Sequence, residues 1–197
     1  MSKNFSRGGA IESSVTARSI AINFARFPKW QKIVREKLQG NVQALPLCTH
    51  MYAAHCTIMY TYEICTNMNK SIISERNFEI NSFAECPILM AFIFESMRYS
   101  PIVAYRSIIH TVTEPITVKG YSFNRDDMLW TAISSIQFDE KNFPEPYKFN
   151  PLRHIDQVTG EFHQPAKVLP YHFGRRACPG IVLANLELFY ITINMLK

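Results

Sequence analysis

The segment Tyr171-His-Phe-Gly-Arg-Arg-Ala-Cys-Pro-Gly180 sets a cysteine among glycines and arginines, directly ahead of an apolar run from Ile181 to Leu196. If that run is a helix, Cys178 lies at its N-terminal end, where the macrodipole presents partial positive charge. Arg175 and Arg176 add full charges nearby. Both effects favour a negatively charged sulfur, the form that ligates metals and attacks electrophiles. Gly174 and Gly180 allow tight turns and a close approach of backbone to a flat ligand. Backbone N–H groups of such a loop can hydrogen-bond the sulfur. The competing reading is a buried structural thiol, because free cysteine is among the most buried residue types.

The elements that must position this loop can be read from periodicity. Residues 10–26 predict a helix with Ile11, Val15, Ile20, Ile22 and Phe24 on its buried face. Pro28 suits the first turn of a second helix, amphipathic from Lys29 to Gln39 through Trp30, Ile33, Val34 and Leu38. Ser82-Phe-Ala-Glu85 has the form of a capping box ahead of Pro87 and the apolar run Ile88 to Phe94. A third helix should end near Arg98, with Pro101 as its stop. Val112, Ile116, Val118, Tyr121 and Phe123 predict two or three short strands, with turns at Gly120 and Asn124–Asp126. Proline-rich residues 138–171 read as a long ordered loop, and Ile181 to Leu196 as the last helix.

Composition bounds the function. The 197 residues are 47% hydrophobic and 19% charged, with net charge +5, which suits one globular domain with a sizeable core. The basic residues are scattered rather than clustered, which argues against a nucleic-acid face. Five cysteines, an odd number with no CxxC pair, argue against a disulfide framework and for a reducing compartment. No secretory signal opens the chain, and no stretch reads as a confident membrane span. Cys48-Thr-His50 and His55-Cys56 invite a metal reading, but their spacing matches no zinc pattern.

The cysteine segment resembles the haem-binding signature of the cytochrome P450 family, Phe-x-x-Gly-x-Arg-x-Cys-x-Gly. Gly174, Arg176, Cys178 and Gly180 match it, and Tyr171 replaces its phenylalanine. Glu95-Ser-Met-Arg98 resembles the family's ExxR motif, whose acid and base share one helix face. Phe149-Asn-Pro-Leu-Arg153-His resembles its Phe-x-Pro-Glu-Arg-Phe element, with Leu152 and His154 as departures. Asn185 stands where an arginine is common and Ile181 where a glutamate is often found. Gly9-Ala-Ile-Glu12-Ser13 can be laid over the oxygen-activation motif, Ser13 standing in for threonine. An N-capping role for Ser13 or Ser14 is an equal alternative. The resemblance covers residues 9–39 and 71–197 and is nearest in style to animal microsomal members. Residues 40–70 read as an atypical insertion within one domain spanning 1–197.

The resemblance implies a partial P450 fold, mainly α with a minor antiparallel sheet. It implies haem as cofactor and Cys178 as the ligand of its iron. Arg176 and His110 would pair with haem propionates, although His110 also reads as an ordinary strand histidine. Phe173 and Gly174 would lie against the haem, Glu12 and Ser13 would relay protons, and a buried Glu95–Arg98–Arg153 network would hold the haem core. The implied reaction is insertion of one oxygen atom from O2 into an apolar small-molecule substrate, with electrons from an NADPH-dependent reductase docked near Lys167, Arg175 and Arg176. Membrane association and the endoplasmic reticulum are implied for a full-length parent carrying an anchor that is expected to be absent from this chain. A non-catalytic or vestigial haem-binding chain is the alternative.

Overall fold

Residues 2–41, 86–102 and 109–196 are described by the computed structural model. Helix α1 (Ser2–Arg26) and helix α2 (Pro28–Asn41) are separated by Phe27 alone. The Phe27 carbonyl accepts from Trp30 N at 2.9 Å, and Pro28 takes the first turn, where its missing N–H costs nothing. Because α1 begins at Ser2, Ser13 and Ser14 lie in a helix interior, which excludes the capping role for either. The buried face of α1 also differs from expectation. Ala17, Ile20 and Phe24 are buried, while Val15 and Ile22 are exposed. Residues 15 and 22 stand about 200° around the helix from residue 20, so they cannot share its face.

Helix α3 (Pro87–Tyr99) is the centre of the molecule: every residue from Leu89 to Arg98 is buried. Its N-cap is Cys86, and Ser82–Glu85 lies outside the described residues. The helix stops as expected, with Ser100 N bonded to Ser96 O at 2.9 Å just ahead of Pro101.

Four short strands follow rather than two or three. Strands β1 (His110–Thr111) and β4 (Met128–Leu129) pair antiparallel, and so do β2 (Ile116–Val118) and β3 (Tyr121–Phe123). Lys119 and Gly120 join β2 to β3 with φ of 50° and 84°, the two-residue turn whose twist matches a hairpin. A Cβ at Gly120 would meet nothing within 4 Å, so backbone conformation, not space, calls for glycine there.

Helix α4 (Ile133–Gln137) leads into the long ordered loop. That loop is held by a 3₁₀ turn at Pro151–His154, a bridge between Ile155 and Phe162, and the buried side chains of Phe143, Phe149 and Val168. Helix α5 (Ile181–Leu196) closes the described chain. The fold is mainly α with minor antiparallel sheets. Among the described residues no helix is long and apolar enough to cross a membrane.

Aromatic rings tie the layers together. Phe24 stacks on Phe92 at 4.1 Å, Phe27 stacks on Phe149 at 4.4 Å, and Phe92 meets Phe149 edge-on at 5.2 Å. Helices α1 and α3 and the Phe27 link between α1 and α2 are thereby joined to the loop that carries Arg153. Phe92→Ala should lower stability by about 3–5 kcal/mol, because the cavity cannot collapse between packed rings. Val158→Ala, at a residue 94% exposed, should change the denaturation midpoint little. Chemical denaturation followed by circular dichroism checks both.

Candidate functional site

The Glu95 carboxylate is fully buried. Arg98, one turn on, grips it bidentately, Nε to Oε2 at 2.9 Å and Nη2 to Oε1 at 3.0 Å. From the loop, Asn150 N donates to Oε1 at 2.8 Å and Arg153 Nε at 3.1 Å. His154 Nε2 donates to Oε2 at 3.0 Å. The spare donors of the guanidiniums reach backbone carbonyls: Arg98 Nη1 to Gln137 O at 2.9 Å, and Arg153 Nη2 to Lys148 O at 3.1 Å. The rings of Phe143 and Phe138 lie 5.3 and 5.7 Å from the Arg98 guanidinium carbon, a contact that favours the cation. The expected Glu95–Arg98–Arg153 network is therefore present, and His154 joins it.

The electrostatics follow from this geometry. Burial pushes the Glu95 carboxyl up, but the His154 and Arg98 hydrogen bonds, the Arg98 charge and the Asn150 N–H together outweigh it and hold it below the usual carboxylate range. Burial pushes His154 down and outweighs the upward pull of Glu95. A neutral His154 that donates through Nε2 carries no proton on Nδ1, and that buried Nδ1 has no partner. The missed signal was in the sequence. A polar ring in the position of a phenylalanine, beside Arg153, has to find a polar partner when buried.

The cysteine segment is anchored to this frame. Buried Val168 and half-buried Tyr171 lead into it. Cys178 N closes the loop onto Tyr171 O at 2.9 Å, and Gly174 turns it with φ of 70°. Tyr171 OH donates to Asn185 Oδ1 on α5. The two departures from the family pattern thus satisfy each other. Burial, then the nearby Cys178 and Glu187, raises the Tyr171 phenol above its ordinary value, so it remains a donor.

Cys178 itself is a free, exposed thiol, which rules out the buried structural reading. Around it Phe173, Ile181, Val182 and Leu183 are exposed, and a Cβ at Gly174 would meet nothing within 4 Å. An exposed sulfur flanked by exposed apolar side chains and an open glycine fits a large flat apolar group with a metal at its centre. Arg175 and Arg176 are exposed beside it. His110 on β1 lies with its ring centroid 5.6 Å from that of His172 in the cysteine loop, which brings the sheet to the site.

The acid–alcohol pair is built differently from expectation. Ser13 is buried and donates to Glu187 Oε2 at 2.7 Å, whereas Glu12 is exposed and its carbonyl accepts from Thr16. The carboxylate partner of Ser13 is therefore on α5, nine residues after Cys178. Glu187 is the lone charged residue of that helix, a signal legible in the sequence. Cys48, His50, His55 and Cys56 lie outside the described residues, and no group of three or more metal-ligating side chains occurs among those described.

Comparison with known proteins places residues 61–197 under the family model described as Cytochrome P450. The chain is 34% identical over 122 residues to cytochrome P450 2D6 of Pan paniscus, covering 62% of this chain and 24% of that protein. It is 35% identical over 122 residues to cytochrome P450 2D19 of Callithrix jacchus, with the same coverage. Against cytochrome P450 2C3 of Oryctolagus cuniculus the identity is 33% over 111 residues, 56% of this chain and 22% of that protein. The chain spans about a quarter of the length of these relatives.

Two outcomes test the network. Glu95→Gln should cost about 3–5 kcal/mol, because two guanidiniums are left without their carboxylate. Lys32→Ala, which breaks an exposed ion pair with Glu36, should leave the denaturation midpoint nearly unchanged. The pH test has a fixed sign. The folded His154 value is depressed, so below the ordinary histidine value of 6.5 the unfolded chain binds a proton that the folded chain does not, and stability falls on acidification. His154→Phe should show a shallower loss than wild type between about pH 7 and pH 5 in denaturation series.

Proposed function

The chain belongs to the cytochrome P450 family, and from that premise we propose that its site carries haem-thiolate monooxygenase chemistry with Cys178 as the iron ligand. Family membership implies haem as the cofactor. The observation that carries the reading is the free, exposed Cys178 thiol in a loop clasped through Tyr171 O and framed by exposed apolar residues. When bound, the haem supplies the iron at which O2 is activated, and a thiolate ligand donates electron density that favours O–O cleavage.

The chain's own residues have the following parts in this proposal. Cys178 would hold the iron. Phe173 and the open backbone at Gly174 would pack on the haem. Arg176 and His110 would pair with its carboxylates through charge-assisted hydrogen bonds. Ser13 holds a proton on its hydroxyl, oriented by Glu187 at 2.7 Å, and exposed Glu12 on the same helix exchanges protons with solvent. An alcohol held by a carboxylate can pass a proton inward while the acid restores it. The Glu95 network takes no part in the reaction. It holds the Arg153 loop against α3 and fixes the frame from which the cysteine loop is hung.

The reaction proposed is transfer of one oxygen atom from O2 to an apolar organic substrate. The electrons come from an NADPH-dependent reductase docked on exposed Lys167, Arg175 and Arg176. Complementary charge of this kind speeds encounter and sets orientation. The same proposal sets the protein on the endoplasmic reticulum membrane.

The test is spectroscopic. The chain is expressed with haem, reduced and exposed to carbon monoxide. Wild type should give the red-shifted Soret band of thiolate ligation, and Cys178→Ala should lose it. An unchanged band in Cys178→Ala would overturn the ligand assignment. Product formed from an apolar substrate in the presence of reductase supports the monooxygenase reading. The band without product supports a haem-binding chain that does not turn over.

A further inference from the structure

We propose that His154 is a proton-operated latch: on taking up a proton it frees the lobe of residues 154–164 from α3 while the rest of the fold stays closed. The inference stands on the Glu95 network and is independent of the haem reading above.

Three observations carry it. First, the lobe is closed on itself. Ile155 bridges Phe162, and Asp156 N donates to Glu161 O and His163 N to His154 O, each at 2.9 Å. Asp156 Oδ1 accepts from Val158 N at 2.8 Å and from Thr159 N at 2.9 Å. The tip therefore keeps its shape without help from the core. Second, the lobe is pinned at one point. Of residues 152–167, His154 alone is buried. Among the described residues, its bond from Nε2 to Glu95 Oε2 at 3.0 Å is the lobe's one hydrogen bond to α3. Half-buried Phe162 adds a ring contact with Phe94 at 5.0 Å. Third, the pin has no place for a second proton. Its Nδ1 is buried without a partner, and the ring centroids of Phe94 and Phe162 each lie 6.5 Å from its own. Such walls cannot solvate a new charge.

The charges that face the ring set the direction. Helix α3 presents Glu95 and Arg98, and the neighbouring Arg153 presents a second guanidinium. Glu95 already accepts from Arg98, Asn150 and Arg153. A cationic His154 puts a third positive charge on one carboxylate and leaves a buried N–H facing no acceptor. Burial therefore outweighs the pull of Glu95 and holds the closed ring below the ordinary value of 6.5. In the open lobe the ring meets water and regains that value. The open form binds the proton more tightly, so the open-to-closed ratio is constant well above pH 6.5 and climbs below it, approaching about tenfold per pH unit. On the lobe itself, Glu161 and His163 are exposed. Asp156 is held below the usual carboxylate range by the N–H groups of Thr159 and Val158, so it stays charged while His154 titrates. Arg153 remains as the pivot, bonded to Pro144 O at 3.3 Å and Lys148 O at 3.1 Å.

Fluorine NMR of the whole chain tests the latch. One sample carries a single para-fluorine on Phe162, which reads the lobe. A second carries it on Phe92, which is fully buried against Phe24 and reads the core. On acidification from about pH 7 to pH 5, a solvent-exposed Phe162 resonance should grow at the expense of the buried one. The ratio of the two should rise about fivefold between pH 6.5 and pH 5.5, while the Phe92 resonance stays in place. His154→Phe keeps a ring in the socket and removes the proton site, and its Phe162 resonance should stay buried throughout. His163→Gln, at the exposed neighbour, should follow the wild-type curve. A wild-type Phe162 resonance that stays buried to pH 5 overturns the proposal. So does acid opening that persists in His154→Phe or vanishes in His163→Gln. A Phe92 resonance that shifts in step with Phe162 also overturns it, because the event is then unfolding of the whole chain rather than release of one lobe.

Discussion

One ionised carboxylate organises this structure. Taking Glu95 out of water would be prohibitive without partners, and its bonds from Arg98, Asn150, Arg153 and His154 are what make the burial tolerable. Those partners come from two places: the helix itself, and a loop more than fifty residues later. The carboxylate therefore does what an apolar contact could not do. It accepts only from donors set at the right angles, so it defines one register between α3 and the loop. Two guanidiniums and one carboxylate leave a surplus of positive charge. The carbonyls of Gln137, Pro144 and Lys148 and the rings of Phe138 and Phe143 absorb it.

A great deal of this was legible from residue types. The helix from Pro87, the stop before Pro101, the turn at Gly120 and the final helix from Ile181 follow from local rules that tertiary packing did not override. Glu95, Arg98 and Arg153 were legible as a network through their resemblance to the family's motifs, and Cys178 was singled out through the same resemblance. The buried face of α1 was misread for a definite reason. Ile and Val alternate with small polar residues at 15, 20 and 22, and counting apolar residues without their angles put opposite sides of the helix together. The partner of Ser13 was missed because Glu187 lies 174 residues away, and nothing local connects them.

The departures from the family pattern are instructive in pairs. Tyr171 in place of phenylalanine brings a hydroxyl into a half-buried position, and Asn185 in place of arginine supplies its acceptor. His154 in place of phenylalanine brings a ring nitrogen into the core, and Glu95 has a free lone pair for it. Leu152 in place of glutamate falls on an exposed turn and needs no compensation. His154 Nδ1 stays unpaired, but the Tyr171 hydroxyl and His154 Nε2 have each met a partner. That is how such changes persist in a core where an orphaned donor or acceptor costs about 1–3 kcal/mol.

Helix α5 changes character along its length rather than around its circumference. Its first turn is apolar and exposed, and its second half, from Leu188, is buried except at Asn194 and Met195. Such a helix is clamped at one end and free at the other, like a beam fixed in a wall. Opening of amide hydrogens should begin at the Cys178 end, where the fewest side chains hold the backbone. Anything that covers those exposed apolar residues and grips the sulfur restrains the free end, so occupancy of the site and rigidity of the helix become one thermodynamic quantity.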